Sequence, residues 1–499
     1  MRFDRSGKED AILIAMMFFA PMAFAGVHIW AYSLIALGAL VMFDMRFLGA
    51  ESFDVSISRD KTVSVFKRPE SKAILIFTAL CVMYMVPLPR GVVKLLSPLL
   101  VELRDGGMFS GASWQTLSAY PRATLSYIIK LVSFLLVYFV VMSKITSPQP
   151  RRQGSLPRSV YPAFIVFGAL MGVLSILFHS FVDFNLQIPA NALYFTILLT
   201  IIAAVNFRGG EINYAFLGKL VNSVIVIGFI VGLFGIIQWL GWDGRMFWLV
   251  EKPGANFGPF VCYNNFAGFM EMTAFMSIAL FYSGVFTSPI RHMKKFKDKV
   301  IWFSSPEANQ TVLYLFASIV MVGALFLSRS RGGIISFALS FLVFVFVCVG
   351  ISPRTRKAKL SILAFVVLGL FTAMIMWLGP QATIVRFQQL PVMFRHLIEG
   401  RESFHLLRPL MWIDTVKIIG HFPFVGAGFG AYSNIFIIER TFSAGWGFLV
   451  YAHQDYLHLL AEMGAIGAAY LALFLVWYVR RFRGCIRRLR ISAENLEKY

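Results

Sequence analysis

The segment Tyr451-Ala452-His453-Gln454-Asp455-Tyr456 places an imidazole, a carboxylate and a phenol within six residues, at the mouth of an apolar run. A histidine, with an ordinary pKa of roughly 6.5, is the side chain best suited to exchange a proton at neutral pH. Asp455 follows two positions later, and residues two apart on a helix point in different directions, so a direct His453–Asp455 pair is not expected. Upstream, the same polar stretch carries Arg386, Arg395, Arg401, Arg408 and Arg440 against one lysine, Lys417. A guanidinium grips phosphate oxygens through a planar two-pronged donor set and stays charged at any relevant pH. Arg408 opens a run to Thr415 that reads as an amphipathic helix ending near Ile419, and a helix N-terminus adds positive potential. A second pair, Arg329 and Arg331, lies in Ser328-Arg329-Ser330-Arg331. Together these residues put a titratable imidazole beside a cationic cradle for a phosphate or diphosphate. The plainer alternatives are arginines that snorkel to lipid phosphates and a helix-start histidine that only bonds its loop.

The elements that must position them are membrane helices. Of 499 residues 58% are hydrophobic and only 14% charged, with 51 Phe and a mean hydropathy of +0.72. That composition belongs to an integral membrane chain. The formal charge of +21 does not point to nucleic acid, because the basic residues fall in short clusters between apolar runs. Arg2 to Lys8, Arg59 to Lys72, Lys144 to Arg158, Arg291 to Lys299, Arg354 to Lys359 and Arg480 to Arg490 all read as cytoplasmic. With those clusters as pins, spans are expected in a hairpin from Ala11 to Phe47 and from Ala73, Ala123, Pro162, Pro189, Leu217, Phe260, Val312, Ile334, Leu360 and Tyr456 onward. The fold class is all-α, a polytopic helical bundle of about twelve transmembrane helices and a single membrane domain over 1–499. A large non-cytoplasmic loop, 379–455, separates the last two spans, and 480–499 forms a basic cytoplasmic tail. Parity places Arg329 and Arg331 on the side of that loop, against the positive-inside rule. Such a breach costs about 2.5 to 3.5 kcal/mol per arginine near a helix centre and less at an interface, which favours a role for the pair.

Several other features carry less. Cys81, Cys262, Cys348 and Cys485 lack metal-ligand spacing and suggest neither a disulfide framework nor a zinc site. Gly426-Ala427-Gly428-Phe429-Gly430 has no strand before it, so a dinucleotide loop is rejected; glycine there serves a tight turn or a close backbone approach. Among the remaining histidines His405 is the strongest substitute for His453. No cleaved signal peptide is expected at the first apolar stretch.

Motif order then supplies a family. Ser118-Ala119-Tyr120-Pro121 to Thr124, Phe257 to Gly268 with Asn264-Asn265, Ser330-Arg331-Gly332-Gly333, Arg408 to Trp412, Pro423 to Gly428, and His453-Gln454-Asp455-Tyr456 to Glu462-Met463-Gly464 resemble the O-antigen ligase and polymerase superfamily of bacterial envelope glycan enzymes. The resemblance runs from Leu117 to Phe474. It implies transfer of a glycan from an undecaprenyl-diphosphate carrier to an acceptor hydroxyl, at the periplasmic face of the inner membrane. Neither metal nor cofactor is implied. His453 and Arg408 would be catalytic, Arg331 and Arg329 would bind the donor diphosphate, and Asp455, Tyr456 and Asn265 would serve the acceptor or support the site. The partners implied are the lipid-linked glycan donor, a saccharide acceptor (lipid core, protein or growing polysaccharide) and membrane lipids, without nucleic acid. Two departures stand out. Gln454 occupies a position where the family usually has Asn, and the segment His179 to Asn191 precedes the His453 helix, whereas relatives are expected to carry it afterwards; its packing partner is left open. Ligase-type transfer is preferred to polymerisation of lipid-linked repeats. From another class, a transporter of an anionic or lipid-linked substrate is disfavoured, because no inverted repeat relates the two halves.

Overall fold

In a computed structural model of the chain, the described residues are 5–48, 64–106, 111–147, 161–205, 212–251, 256–288, 301–351 except 303, 407–442 and 450–497, with 295, 297 and 395. Helices dominate them. In chain order the main ones are α1 (Arg5–Met22), α2 (Ile29–Phe43), α3 (Pro69–Met83), α4 (Pro121–Ile145), α5 (Tyr161–His179), α6 (Pro189–Ala204), α7 (Tyr214–Leu240), α8 (Tyr263–Thr287), α9 (Pro306–Leu327), α10 (Arg331–Ile351), α11 (Leu407–His421), α12 (Tyr432–Glu439) and α13 (Asp455–Glu497). Two short antiparallel ladders, Leu88–Pro89 with Trp114–Gln115 and Arg245–Met246 with Val250–Glu251, close loops at one end of the bundle.

Eight helices among the described residues are long and apolar enough to cross a bilayer: the α2 segment extended to Leu48, α4, α5, α7, α8, α9, α10 and α13. The expected span from Pro189 is a shorter helix, α6, and the one from Ala73 falls on the 15-residue α3. The expected span from Leu360, like most of the loop before Leu407 with Arg386, Arg401 and His405, lies outside the described residues. Lipid cannot satisfy backbone N–H and C=O groups, so each crossing segment must close its hydrogen bonds internally, and a helix does so. The chain is a multi-pass helical membrane protein.

Its centre is α5, almost wholly buried, packed along α8. Gly168 and Gly172 make that contact possible. A β-carbon on Gly168 would come 2.9 Å from Ala279 Cβ, and one on Gly172 would come 2.8 Å from the Met272 carbonyl. Small residues four apart let two membrane helices approach backbone to backbone, where dispersion rather than water exclusion supplies the attraction. At the end of the bundle where α4 finishes and α7 begins, Lys144 is buried between Glu9 (2.9 Å) and Asp10 (2.6 Å) of α1. Nearby in that layer, Arg481 of α13 pairs with Glu70 at the start of α3. Basic side chains thus gather at one end. The opposite end, built from the termini of α5, α8, α9, α10 and α13, gathers the residues singled out for chemistry.

Candidate active site

The loop after α5 organises this end. Asp183, 1% exposed, lies between the two residues expected to be catalytic: Arg408 Nη2 is 3.2 Å from Asp183 Oδ2, and His453 Nδ1 is 3.4 Å from Asp183 Oδ1. Arg408 Nη1 also donates to the Val182 carbonyl at 2.7 Å, and the Phe184 amide donates to Asp183 Oδ1 at 2.9 Å. The His453 contact is an ion-pair approach without hydrogen-bond alignment. It nevertheless sets the ring with Nδ1 toward the carboxylate, so Nε2 is the nitrogen left for a substrate. Phe184 braces the imidazole edge to face at 4.5 Å and stacks on Tyr451.

Electrostatics make this trio a unit. Burial pushes the Asp183 carboxyl upward, but the Arg408 guanidinium, then His453 and His179, outweigh burial and hold it well below its ordinary 3.8. The lowered value means that pairing adds stability at neutral pH. That contribution is present above about 3.8, the unfolded value, and is lost as the pH falls through the folded value. The same charges reach Cys262, whose thiol is pushed up to about 11 by burial and by the Asp183 carboxylate.

His453 itself has φ +51, a left-handed conformation uncommon for a residue with a side chain. Such strain persists only where surrounding contacts enforce it, and it concentrates at functional positions. The enforcing contacts are visible on both sides. Trp412 of α11 donates its indole N–H to the Ala452 carbonyl at 3.1 Å, and the Asp455 amide donates to the Ser180 carbonyl at 3.0 Å. Gln454, the departure from the family pattern, accepts the Leu457 amide at 2.7 Å and so caps α13.

Asp455 points away from His453, in line with the helical spacing. Its Oδ2 accepts from Ser180 Oγ (2.8 Å) and from the Leu186 amide (3.2 Å), and Tyr456 donates its hydroxyl to the Leu177 carbonyl at 2.6 Å. Both residues fasten the Asp183 loop to α13. Asn265 has the same character: its carbonyl accepts from Asn191 Nδ2 at 3.0 Å, while the neighbouring Asn264 Oδ1 accepts from Ser330 Oγ at 2.8 Å. Arg331 is the first residue of α10, and Gly332 beside it faces the buried His179 ring, where a β-carbon would lie 2.9 Å from Nε2. His179 Nδ1 is in turn 2.8 Å from Glu271 Oε1, and Ser175 Oγ donates to Glu271 Oε2 at 2.8 Å. Arg329, in the turn between α9 and α10 with φ +58, borders a separate cavity.

Sequence reasoning missed Asp183, His179 and Glu271. The available signal was the displaced segment His179 to Asn191, whose open packing partner is the site itself. The glycine motif, read as a turn or close approach, is a clasp between backbones. The Ala427 and Gly428 amides donate to the Ala461 and Glu462 carbonyls at 2.9 and 3.0 Å, and Ala119 donates to the Ala427 carbonyl at 2.9 Å. Gly464, at φ +53, kinks α13 to receive them. With φ +69 and a would-be β-carbon 2.2 Å from the Glu462 backbone carbon, Gly426 admits no side chain. Gly426→Ala is therefore expected to destabilise the protein by at least about 2 kcal/mol. The loss is read as a lowered melting midpoint of the detergent-purified chain; an unchanged midpoint would remove the clasp from the account.

A multi-pass helical bundle with histidine, arginine and aspartate converging at one end defines the class. Comparison adds a family match: residues 316–472 match the family model described as O-Antigen ligase, which supports the resemblance to the O-antigen ligase and polymerase superfamily. The matched segment holds Arg329, Arg331, Arg408, His453, Asp455 and Tyr456 but neither Asp183 nor Asn265. No curated protein and no solved structure matches the chain.

Proposed function

We propose that the chain transfers a glycan from an undecaprenyl-diphosphate carrier to an acceptor hydroxyl at the periplasmic face of a bacterial inner membrane. The observation that carries this reading is the Asp183 carboxylate shared by His453 and Arg408. In the reaction the acceptor oxygen attacks the anomeric carbon, and its proton passes to His453 Nε2. The bond from that carbon to the carrier phosphate breaks, and the diphosphate leaves with the electron pair. Negative charge grows on the leaving oxygens as the bond breaks, and preorganised guanidinium groups at Arg408 and Arg331 stabilise it without a metal ion. Asp183 holds the imidazole with Nδ1 turned inward, as a carboxylate orients the base in hydrolase triads. Arg329 adds positive potential on the donor side, and Asp455, Tyr456 and Asn265 keep the loop and helices around the acceptor in place.

Ligase-type transfer, in which a finished glycan moves to a different acceptor, is the preferred form. Product analysis tests it. In cells lacking the protein, the acceptor is expected to carry no glycan at all while lipid-linked glycan accumulates. Single repeat units remaining on the acceptor would show instead that the enzyme polymerises repeats.

A further inference from the structure

A cavity of about 390 Å³ opens at the site end of the bundle, between the last turn of α7, the loop before α8 and the turn between α9 and α10. Its volume lies in the range of small-ligand sites, about 300 to 1,000 Å³. Trp239, Trp242 and Tyr263 give it aromatic faces, Gln238 and Asn256 stand in its wall, and Arg329 closes one side. Gln238 is 1% exposed, and its Nε2 donates to the Arg245 carbonyl at 3.3 Å, which fixes the amide orientation. Its Oε1, and both the oxygen and the nitrogen of the Asn256 amide, have no hydrogen-bond partner among the described residues. No carboxylate among those residues pairs with Arg329.

Enclosed amide atoms without partners are uncommon, and each is unfavourable until something bonds it. What bonds these must both donate and accept. A carboxylate or a phosphodiester offers acceptors only, so it would satisfy Arg329 and the Asn256 nitrogen but leave two amide oxygens unmet. Sugar hydroxyls donate and accept, and the C–H faces of a pyranose lie flat on indole and phenol rings. We propose that this cavity is a saccharide subsite, taking one sugar ring that carries an anionic substituent, with Arg329 on the anion, Gln238 and Asn256 on hydroxyls, and the tryptophans under the ring. The proposal rests on the reading that the chain handles glycan. It adds a place where the glycan is recognised by its chemistry, next to the start of α10: Tyr263 borders the cavity, and the next residue, Asn264, bonds Ser330 just before Arg331.

Tryptophan fluorescence on the full-length protein in phosphatidylglycerol nanodiscs tests this. A glucuronic-acid oligosaccharide should quench saturably, and Trp239→Phe should remove most of that quench. A neutral glucose oligosaccharide is expected to bind at least about tenfold more weakly, and Arg329→Gln should weaken the acidic ligand by a similar factor, as expected for loss of a charge-assisted contact. Asn256→Ala, with its melting midpoint unchanged, should weaken both sugars. The proposal is overturned by equal affinity for acidic and neutral sugars, by an absence of binding, or by displacement of the sugar by low millimolar inorganic phosphate. Arg408→Ala should bind the oligosaccharide normally. Transfer retained by Arg408→Ala would defeat the proposed reaction, whereas transfer by the unaltered protein without oligosaccharide binding would defeat the subsite alone.

Discussion

His453→Asn lowers the rate of glycan transfer by about 10²- to 10⁴-fold, the range lost when a positioned general base is removed. Asparagine is the informative replacement because it tolerates the left-handed backbone that His453 adopts, whereas alanine would add strain of its own. The variant therefore keeps the Ala452 and Asp455 backbone contacts on either side and loses only the imidazole. Initial rates with purified enzyme, lipid-linked donor and acceptor measure the effect, and donor affinity should stay within a few-fold of the original. A variant that transfers glycan at near the original rate would mean that another group, or water, takes the proton.

Arg408→Ala has two consequences that a second substitution separates. Its guanidinium has five donor hydrogens, and the contacts to Val182 and Asp183 engage only the two terminal nitrogens. The side chain, 38% exposed, can thus meet a leaving diphosphate without releasing Asp183. Removing a preorganised donor of this kind costs about 10² to 10³ in turnover. It also strands a buried carboxylate, and breaking a buried pair from one side costs about 3 to 5 kcal/mol, discounted here because the arginine is more than a third exposed. Adding Asp183→Asn to Arg408→Ala is expected to recover the melting midpoint but not the activity. Recovery of both would make Arg408 a structural counter-ion and nothing more. Arg408→Lys should fail for the geometric reason that an ammonium cannot hold two protein oxygens and a diphosphate in one plane.

Much of the membrane architecture was legible because a spanning helix is a local property, written in the run of apolar residues and in the charges beside it. Arg408 and His453 were legible for a similar reason, since residue type and a polar-to-apolar boundary mark them. Asp183 was not. It lies 225 residues before Arg408, in a segment whose own periodicity speaks only of a turn between two apolar runs. Glu271 sits mid-helix, and nothing in the pattern of α8 indicates that it faces His179. The glycines of 426–430 suggested close approach, but what they approach, the kink at Gly464, exists only after α13 has bent. Contacts between distant segments are set by the packed arrangement, which local pattern does not encode.

The length of α13 has a practical corollary. Beyond the break at Gly464 its helical rise of 1.5 Å per residue carries it over roughly 50 Å, well past the hydrocarbon thickness of a bilayer. The element therefore carries Asp455, two residues after His453, in its first turn and a cationic mast, Arg480 to Arg490, toward its other end. A reporter domain fused after Glu497 would sit far from the chemistry and would announce which compartment that mast occupies. On the proposed topology, in which α13 crosses once, the same readout would identify the compartment holding the imidazole.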